Sequence, residues 1–417
     1  MIRFPVFCAA VVASLAATAG CSSSSSTPAV TQPDGGADDA ALPSGQSTIT
    51  FTMQSKVPAS SETHQCMYVT GPAALAFIVA SKHVYTPGSH HMLLFRTDLT
   101  SIPAGMDKPG DCYEAATGGY MNHVRGVVYG AQVPTAQFTY PDGVGLQLDA
   151  SSVFMMQTHY LNSGSTELAA RADVTLTLSD GTGITQHAGV LFFYDPFIYV
   201  PMGTKARASM RCGIRNDITL LTATSHYHKR GNDYAAYVDP GTGPQATTPF
   251  YTSNNWDSPP ALPAPMKIAA GSHIRFGCGY DNTAGTKEYF QGQSAEDNEM
   301  CMFTGLYYPA LGTPEDMCLT THDTFGTGTN SCSSLLSCLK TCPPLVIGTA
   351  QADIDPCNQK CFVGSCPEAT GLLIALQNCT KSKCATECAD RASTTCSTCA
   401  QANCLDEATA CFTDKCN

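Results

Sequence analysis

The stretch Val153-Phe-Met-Met-Gln-Thr-His-Tyr160 decides the fold class, because it combines β-branched, aromatic and other apolar residues over the length of one strand. Three further stretches have the same character: Ser47-Thr-Ile-Thr-Phe-Thr-Met53, Ala172-Asp-Val-Thr-Leu-Thr-Leu178 and Val190-Leu-Phe-Phe-Tyr194. Between residues 47 and 325 no segment carries a helical period over three turns, and Gly, Pro and Asn interrupt the apolar runs. The pattern predicts a mainly β protein built from antiparallel β-sandwiches.

The length of this β-rich region indicates two sandwiches, since nearly 280 residues are generous for one. The turn Ser179-Asp-Gly-Thr-Gly183 is a plausible boundary between them. We therefore predict one sandwich over residues 47–182 and a second over residues 183–325. Plentiful Gly (35) and Pro (26), with only 13% charged residues, agree with a turn-dense β protein.

The N-terminus has the pattern of an export signal over residues 1–20, with Arg3 followed by an uncharged, mostly apolar run. Ala-Gly-Cys21 and the serines after it resemble a lipoprotein signal with lipidation on Cys21, although Thr18 stands where such motifs prefer Leu. Ordinary cleavage after Ala17-Thr18-Ala19 is the alternative. Residues 21–46 are Ser-, Pro- and Gly-rich and predict a flexible tether. The expected location is the outer membrane or cell surface, otherwise the periplasm or the medium.

The charge balance bears on the class of partner. A net charge of −12 and an isoelectric point near 5.3 argue against a nucleic-acid partner, because phosphate binding needs basic stripes.

The cysteines indicate an oxidising compartment, because after Cys8 and Cys21 there remain six from Cys66 to Cys318 and fourteen from Cys332 onward. Even numbers are expected if every thiol is paired. The region 326–417 predicts a small disulfide-rich helical module. Its mirror-symmetric spacing, Cys357-x3-Cys361-x4-Cys366 and Cys379-x4-Cys384-x3-Cys388, suggests a helical hairpin with nested bridges, although spacing does not fix connectivity. A zinc cluster is the alternative.

Four features could bind a metal, and each has an ordinary explanation. His226 and His228 would share a strand face, but such pairs are often exposed polar residues. His90 and His91 face opposite ways on a regular strand, so they could meet one ion only through a bend, which Pro87-Gly88 permits. His159 in its apolar run could be a satisfied core histidine, and Met300 could fill a core.

The order of these features resembles one family. The matching motifs are Glu62-Thr-His-Gln-Cys-Met67, Gly88-Ser-His-His-Met-Leu-Leu-Phe95, Val127-Val-Tyr-Gly-Ala131, Pro141-Asp-Gly-Val-Gly145, Met156-Gln-Thr-His-Tyr160, Ser225-His-Tyr-His228 and Asn298-Glu-Met-Cys301. Over residues 47–320 the chain is similar to the copper type II, ascorbate-dependent monooxygenases, which include peptidylglycine α-hydroxylating monooxygenase and dopamine β-monooxygenase.

The resemblance implies two jelly-roll-like sandwiches, each holding one copper ion across a solvent cleft. It implies one copper on His90, His91 and His159, and a second on His226, His228 and Met300, where dioxygen and substrate meet. It also implies ascorbate or an equivalent reductant and three bridges: Cys66–Cys112, Cys212–Cys318 and Cys278–Cys301. Gln157 lies two residues before His159 on the same strand face, so it could orient that site.

The chain departs from the peptide-hydroxylating members where they bind the substrate carboxylate. Thr224 stands in place of their Arg, and Met302 and Thr304 stand in place of their Asn and Tyr. The prediction is therefore a dicopper monooxygenase that hydroxylates a C–H bond of a small, non-carboxylate, more apolar substrate with dioxygen. The alternatives are a surface lipoprotein that binds copper without turnover and an adhesive double sandwich.

Overall fold

The computed structural model describes residues 42–114, 119–312, 315–318, 326–343, 354–389 and 393–416. The predicted signal, Cys21 and all but the end of the predicted tether lie outside these residues. From Pro43 onward the described residues belong to one compact unit. No helix among them is long and apolar enough to cross a membrane.

The first eleven strands form an N-terminal sandwich: β1 Gln46–Val57, β2 Ser61–Thr70, β3 Ala76–Tyr85, β4 Ser89–Thr97, β5 Gly110–Asp111, β6 Val124–Ala131, β7 Thr135–Thr139, β8 Val144–Leu148, β9 Val153–Asn162, β10 Leu168–Ser179 and β11 Gln186–His187. One sheet has the order β1-β10-β3-β8-β11, with β7 also paired to β3. The other has the order β5-β2-β9-β4-β6. The apolar stretch of residues 153–160 thus lies in β9, at the centre of its sheet.

The position of β9 explains its composition. All residues from Val153 to Tyr160 are buried, because β9 has a strand on each side and covered faces above and below. A central strand covered on both faces needs a continuous apolar run, whereas β10 alternates because only one of its faces is buried. The four predicted strand stretches all lie within strands, and the predicted fold class is confirmed.

The next ten strands form a C-terminal sandwich: β12 Gly189–Tyr194, β13 Tyr199–Val200, β14 Lys205–Gly213, β15 Ile218–Tyr227, β16 Gly231–Asp239, β17 Tyr251–Ser253, β18 Met266–Ile268, β19 His273–Asp281, β20 Tyr289–Phe290 and β21 Cys301–Tyr308. Its two sheets have the orders β12-β21-β15-β18 and β14-β19-β16-β17. The short pair β13-β20 lies beside them. The boundary at residues 182/183 stays a prediction; β11, just after it, pairs with β8 of the N-terminal sandwich.

Three disulfide bonds lie in the two sandwiches, one in the N-terminal and two in the C-terminal sandwich. They join Cys66 to Cys112, Cys212 to Cys318 and Cys278 to Cys301, which are the pairs that the resemblance implied. The last bridge connects β19 to the first residue of β21.

The cysteine-rich module contains five helices: α1 Cys332–Leu339, α2 Pro356–Val363, α3 Pro367–Lys383, α4 Thr394–Asn403 and α5 Leu405–Thr413. All fourteen cysteines of the module are bridged, so none supplies a thiolate for zinc. The pairs are Cys332–Cys411, Cys338–Cys361, Cys342–Cys357, Cys366–Cys416, Cys379–Cys404, Cys384–Cys399 and Cys388–Cys396.

The expected single hairpin is wrong, because the six cysteines of the mirror-symmetric spacing do not pair with one another. Nested bridges do occur, but in two hairpins. Two of them join α1 and the turn after it to α2, and three join the end of α3 and the turn after it to α4 and the residue that follows α4. The bridged partners of α2 and α3 are thus the neighbouring helices α1 and α4, which lie outside the symmetric segment, whereas α5 is bridged to α1.

Candidate metal centre

Three histidines lie side by side on neighbouring strands in the β5-β2-β9-β4-β6 sheet of the N-terminal sandwich. His159 of β9 is the register partner of His64 on β2 and of His91 on β4. The β4–β9 register shifts between Ser89 and His91, and Gly88 has a φ of 103°. This irregularity is the bend that adjacent histidines require. As a result the rings of His90 and His91 both lie close to that of His159, with centroid distances of 5.2 and 5.0 Å.

The second set of predicted ligands lies in the C-terminal sandwich, at the end of the paired strands β15 and β21. His226 lies in β15 and His228 directly after it, so the two rings point the same way and their centroids are 5.5 Å apart. Tyr227 between them faces the sandwich core and pairs with Cys301 of β21. The register of β15 and β21 ends at the pair Tyr227–Cys301, so His228 and Met300 are the next residue of each chain segment beyond the end of this ladder. Met300 is buried, and its carbonyl accepts a hydrogen bond of 2.7 Å from the Tyr280 hydroxyl.

The two sets meet in one buried cluster. The ring centroids of His90 and His226 are 4.6 Å apart, and those of His91 and His226 are 5.1 Å apart. Ligand nitrogens of His90, His91 and His159 lie within 4.8 Å of one another, and so do those of His90, His226 and His228. The expected solvent cleft between the sets is therefore not seen in the described residues.

Polar contacts between the sandwiches explain the closed arrangement. Glu62 of β2 accepts hydrogen bonds from the Ser294 hydroxyl and the Ala295 amide, both at 2.6 Å. The Gln132 amide group donates to the Ser225 carbonyl at 2.8 Å. These contacts tie each sandwich to residues next to the other's histidines.

The ring nitrogens divide into anchored and unpartnered ones. His159 Nε2 donates to Glu62 Oε1 at 2.6 Å, His226 Nδ1 to Gln132 Oε1 at 2.7 Å, and His228 Nδ1 to the Asn298 carbonyl at 3.2 Å. His159 Nδ1, His228 Nε2 and both nitrogens of His90 and His91 are buried without a hydrogen-bond partner. Buried polar atoms are seldom left unpaired, and metal-binding histidines usually donate their other nitrogen to a carboxylate or carbonyl. The arrangement fits a metal.

Burial also keeps these rings in the form that binds metals. Desolvation, reinforced by the neighbouring imidazoles, lowers the pKa of His90, His159 and His226 well below the ordinary value. Desolvation is also the largest of the causes that lower the pKa of His91 and of His228 to about 3. All five imidazoles are therefore neutral at pH 7, as metal coordination requires.

The structure adds residues for which no role was predicted from the sequence. Glu62 and Gln132 each orient a histidine, and each also contacts the other sandwich. His64 of β2 stacks on His159 with a centroid distance of 3.8 Å. Glu62 begins one of the motifs that resemble the family, but no local pattern indicates its contact with His159 or that of Gln132 with His226, because these pairs are 97 and 94 positions apart. Gln157 packs on the Cys66–Cys112 bridge, with Nε2 3.7 Å from Cys112 Sγ.

A cavity of about 290 Å³ lies between the sandwiches and opens onto His91 and His226. Thr224, Met302 and Thr304 all line it. Most of its other walls are apolar or aromatic, and no residue of its described lining is Asp, Glu, Lys or Arg. The cavity therefore suits an uncharged, largely apolar molecule.

Fold and site together define a two-sandwich β protein with a buried histidine metal centre formed by both sandwiches. Residues 49–167 match the N-terminal domain of the copper type II ascorbate-dependent monooxygenases, and residues 188–326 match the C-terminal domain. The chain belongs to this family, which depends on copper and ascorbate. Membership implies an oxidoreductase of the copper monooxygenase type that acts with dioxygen on a small molecule. The cysteine-rich module lies almost wholly beyond the matched residues.

The other comparisons add little. No curated protein matches the chain. Among solved structures, one described as "The Triple Jelly Roll Fold and Turret Assembly in an Archaeal Virus" is similar at 9% sequence identity and a TM-score of 0.19. The match covers 61% of this chain and 58% of that one. At this TM-score the similarity supports no conclusion.

Proposed function

We propose that the chain is a dicopper monooxygenase that hydroxylates a C–H bond of a small, non-carboxylate organic substrate. His90, His91 and His159 would hold one copper ion, and His226, His228 and Met300 the other. The observation that supports this proposal is the set of buried ring nitrogens without hydrogen-bond partners: both nitrogens of His90 and His91, and on His159 and His228 the nitrogen opposite the anchored one. His90 also lies within ligand distance of His226 and His228, so its assignment to the first set rests on the family resemblance.

The two ligand sets suit different tasks. Imidazoles bind both common oxidation states of copper, whereas a thioether is a soft ligand that favours Cu(I). Bound copper would supply one-electron transfer at the first set and dioxygen activation at the second. Each turnover would use one dioxygen, two electrons from ascorbate or an equivalent and two protons, and yield one hydroxylated product and one water.

The protein's own residues would orient these ligands and exclude water. Glu62 and the Asn298 carbonyl fix which nitrogen of His159 and His228 faces the metal. All five histidines are buried, which limits the access of bulk water to reactive species. Gln157, which precedes His159 by two residues on the same face of β9, would orient the first set.

Three residues support a substrate without a carboxylate. Thr224, Met302 and Thr304 line the cavity at the positions where peptide-hydroxylating relatives carry Arg, Asn and Tyr. Burying a carboxylate in a cavity whose described lining has no cationic side chain would cost several kcal/mol, on the order of 2–7 for even a neutral unpaired polar group. A neutral, apolar substrate avoids that cost.

Export and a lipid anchor on Cys21 form part of the proposal. Ten disulfides among the described residues support an oxidising compartment.

Metal analysis tests the sites directly. We expect two copper ions per wild-type chain and one per chain in His159→Ala. Met300→Ala should keep the three-histidine copper and abolish ascorbate-dependent dioxygen consumption with a panel of neutral apolar substrates. Loss of both metals in Met300→Ala would contradict the two-site assignment. Two bound coppers without dioxygen consumption would favour a copper-binding lipoprotein instead.

A further inference from the structure

The loop of residues 291–299 connects β20 to Met300 and supports both ligand sets. Its Asn298 carbonyl anchors His228. Its Ser294 and Ala295 hold Glu62, which in turn anchors His159. A displacement of this loop would therefore move ligands of both proposed copper sites.

The first residue of this loop is held by the cysteine-rich module. Gln359 of α2 is fully buried and accepts hydrogen bonds through Oε1 from the amides of Gln291 and Ile198, at 2.8 and 3.2 Å. Its Nε2 donates to the carbonyls of Gln291 and Ile354, at 3.2 and 2.7 Å. Both donors and both acceptor positions of this side-chain amide are thus used, and Gln291 is bonded through its amide and its carbonyl.

The contact reaches Met300 through the backbone. Gln291 and Glu299 form an isolated backbone β-bridge. The backbone amide of Glu299 donates to the Phe290 carbonyl at 2.8 Å, and that of Gly292 donates to the Glu299 carbonyl at 3.2 Å. Glu299 immediately precedes Met300. The two ends of the loop are therefore hydrogen-bonded to each other next to Gln291, the residue that Gln359 contacts.

Helix α2 is itself firmly fixed. Cys357 and Cys361, two residues to either side of Gln359, are bridged to α1 and the turn after it. Phe362 stacks on Phe197 of the C-terminal sandwich with a centroid distance of 3.8 Å, and Lys360 pairs with Glu288 at 2.7 Å. The hydrophobic core of the C-terminal sandwich continues into the module.

We propose that Gln359 is a positioning residue for the second copper site: the cysteine-rich module holds the 291–299 loop and thereby fixes Met300 and His228. The inference rests on the proposed function and assigns a role to a module that carries no ligand of its own. Ligands held by packed, hydrogen-bonded supports bind metals with preorganised geometry, whereas a loop without such support samples other conformations.

The test is Gln359→Met in the full chain, which keeps the length of the side chain and removes its four hydrogen bonds. Each purified protein is loaded with Cu(I) alone, and X-ray absorption and a Cu(I) titration report the sulfur ligand and the affinity of each site. We expect Gln359→Met to retain the three-histidine copper, to lose much of its Cu–S scattering and to bind the second Cu(I) about 10–100-fold more weakly. Gln401→Met, on the exposed face of α4, is the matched control that should behave as wild type.

Unchanged Cu–S scattering and affinity in Gln359→Met would overturn the proposal. Absence of Cu–S scattering in the wild type would instead overturn the assignment of Met300 in the proposed function. Phe362→Leu weakens the docking of α2 without leaving buried backbone groups unpaired, so it decides the matter if Gln359→Met does not fold. A folded Phe362→Leu protein should bind the second Cu(I) severalfold more weakly, and wild-type affinity in it would also overturn the proposal.

Discussion

At the scale of single residues, burial sets the charge of groups that water would otherwise ionise. The five clustered histidines are neutral because burial lowers their pKa values. The same cause acts in the opposite direction on Asp195, a fully buried carboxyl between β12 and β13 whose pKa burial raises well above the ordinary value. Its Oδ1 accepts from the Phe197 amide at 3.0 Å, and its Oδ2 is buried without a hydrogen-bond partner.

The raised pKa of Asp195 predicts a pH dependence of stability. In the unfolded chain this carboxyl loses its proton above about pH 4, whereas in the folded protein it does so only at a higher pH, so its contribution to stability is lost as pH rises. Asp195→Asn cannot ionise. We expect urea unfolding to give similar free energies for variant and wild type at pH 4, and an advantage for the variant that grows toward pH 8 by up to about 1.4 kcal/mol per pH unit. Asp142→Asn at an exposed position is the control, and a constant difference between Asp195→Asn and wild type would contradict the prediction.

At the scale of elements, the turn from β15 to β16 sets the direction of the second histidine pair. The Gly231 amide donates to the His228 carbonyl at 2.9 Å. A Cβ at position 231 would lie 2.1 Å from Tyr227 Cδ2 and 3.0 Å from the His228 carbonyl oxygen. The turn therefore has no room for a side chain next to the residues that hold His226 and His228.

We expect Gly231→Ala to lower the free energy of unfolding by about 1–3 kcal/mol, because the methyl group overpacks a backbone turn. The shift of Tyr227 should also weaken the second copper site more than the first, which Cu(I) titration would detect. Gly371→Ala in α3, where an added Cβ meets nothing within 4 Å, should instead stabilise the protein by roughly 0.5–1 kcal/mol. Equal effects of the two substitutions would show that the turn is not tightly packed.

Local sequence patterns were sufficient to predict individual strands and bends, but not to predict which residues contact one another across the fold. The apolar run of β9 and the bend at Gly88 follow from residues within a few positions, so both could be predicted. The partner of Cys357 depends on which helix packs against α2, and Cys342 lies outside the symmetric spacing that suggested a different pairing. The role of Gln359 depends on contacts with Ile198 and Gln291, which no spacing along the chain indicates.

At the scale of the whole molecule, the two sandwiches are connected through the same residues that orient the ligands. Glu62 is the central case, since one carboxylate anchors His159 of the N-terminal sandwich and holds Ser294 and Ala295 of the C-terminal one. The family resemblance placed the two ligand sets in separate sandwiches, but the closeness of the sets follows from contacts such as Glu62–Ser294, which spans 232 positions of the chain. Such long-range contacts lie beyond any sequence period.

This connection predicts that the two copper sites are coupled through Glu62. Glu62→Ala removes the carboxylate on His159 Nε2, which should weaken the first site about 10–100-fold, and it also frees the loop that positions His228 and Met300. We therefore expect the second site to lose affinity as well, and copper bound at one site to stabilise the other less than in the wild type. Cu(I) titrations of wild type, Glu62→Ala and the exposed control Glu167→Ala measure this coupling. A loss confined to the three-histidine site would mean that Glu62 orients His159 without linking the sandwiches.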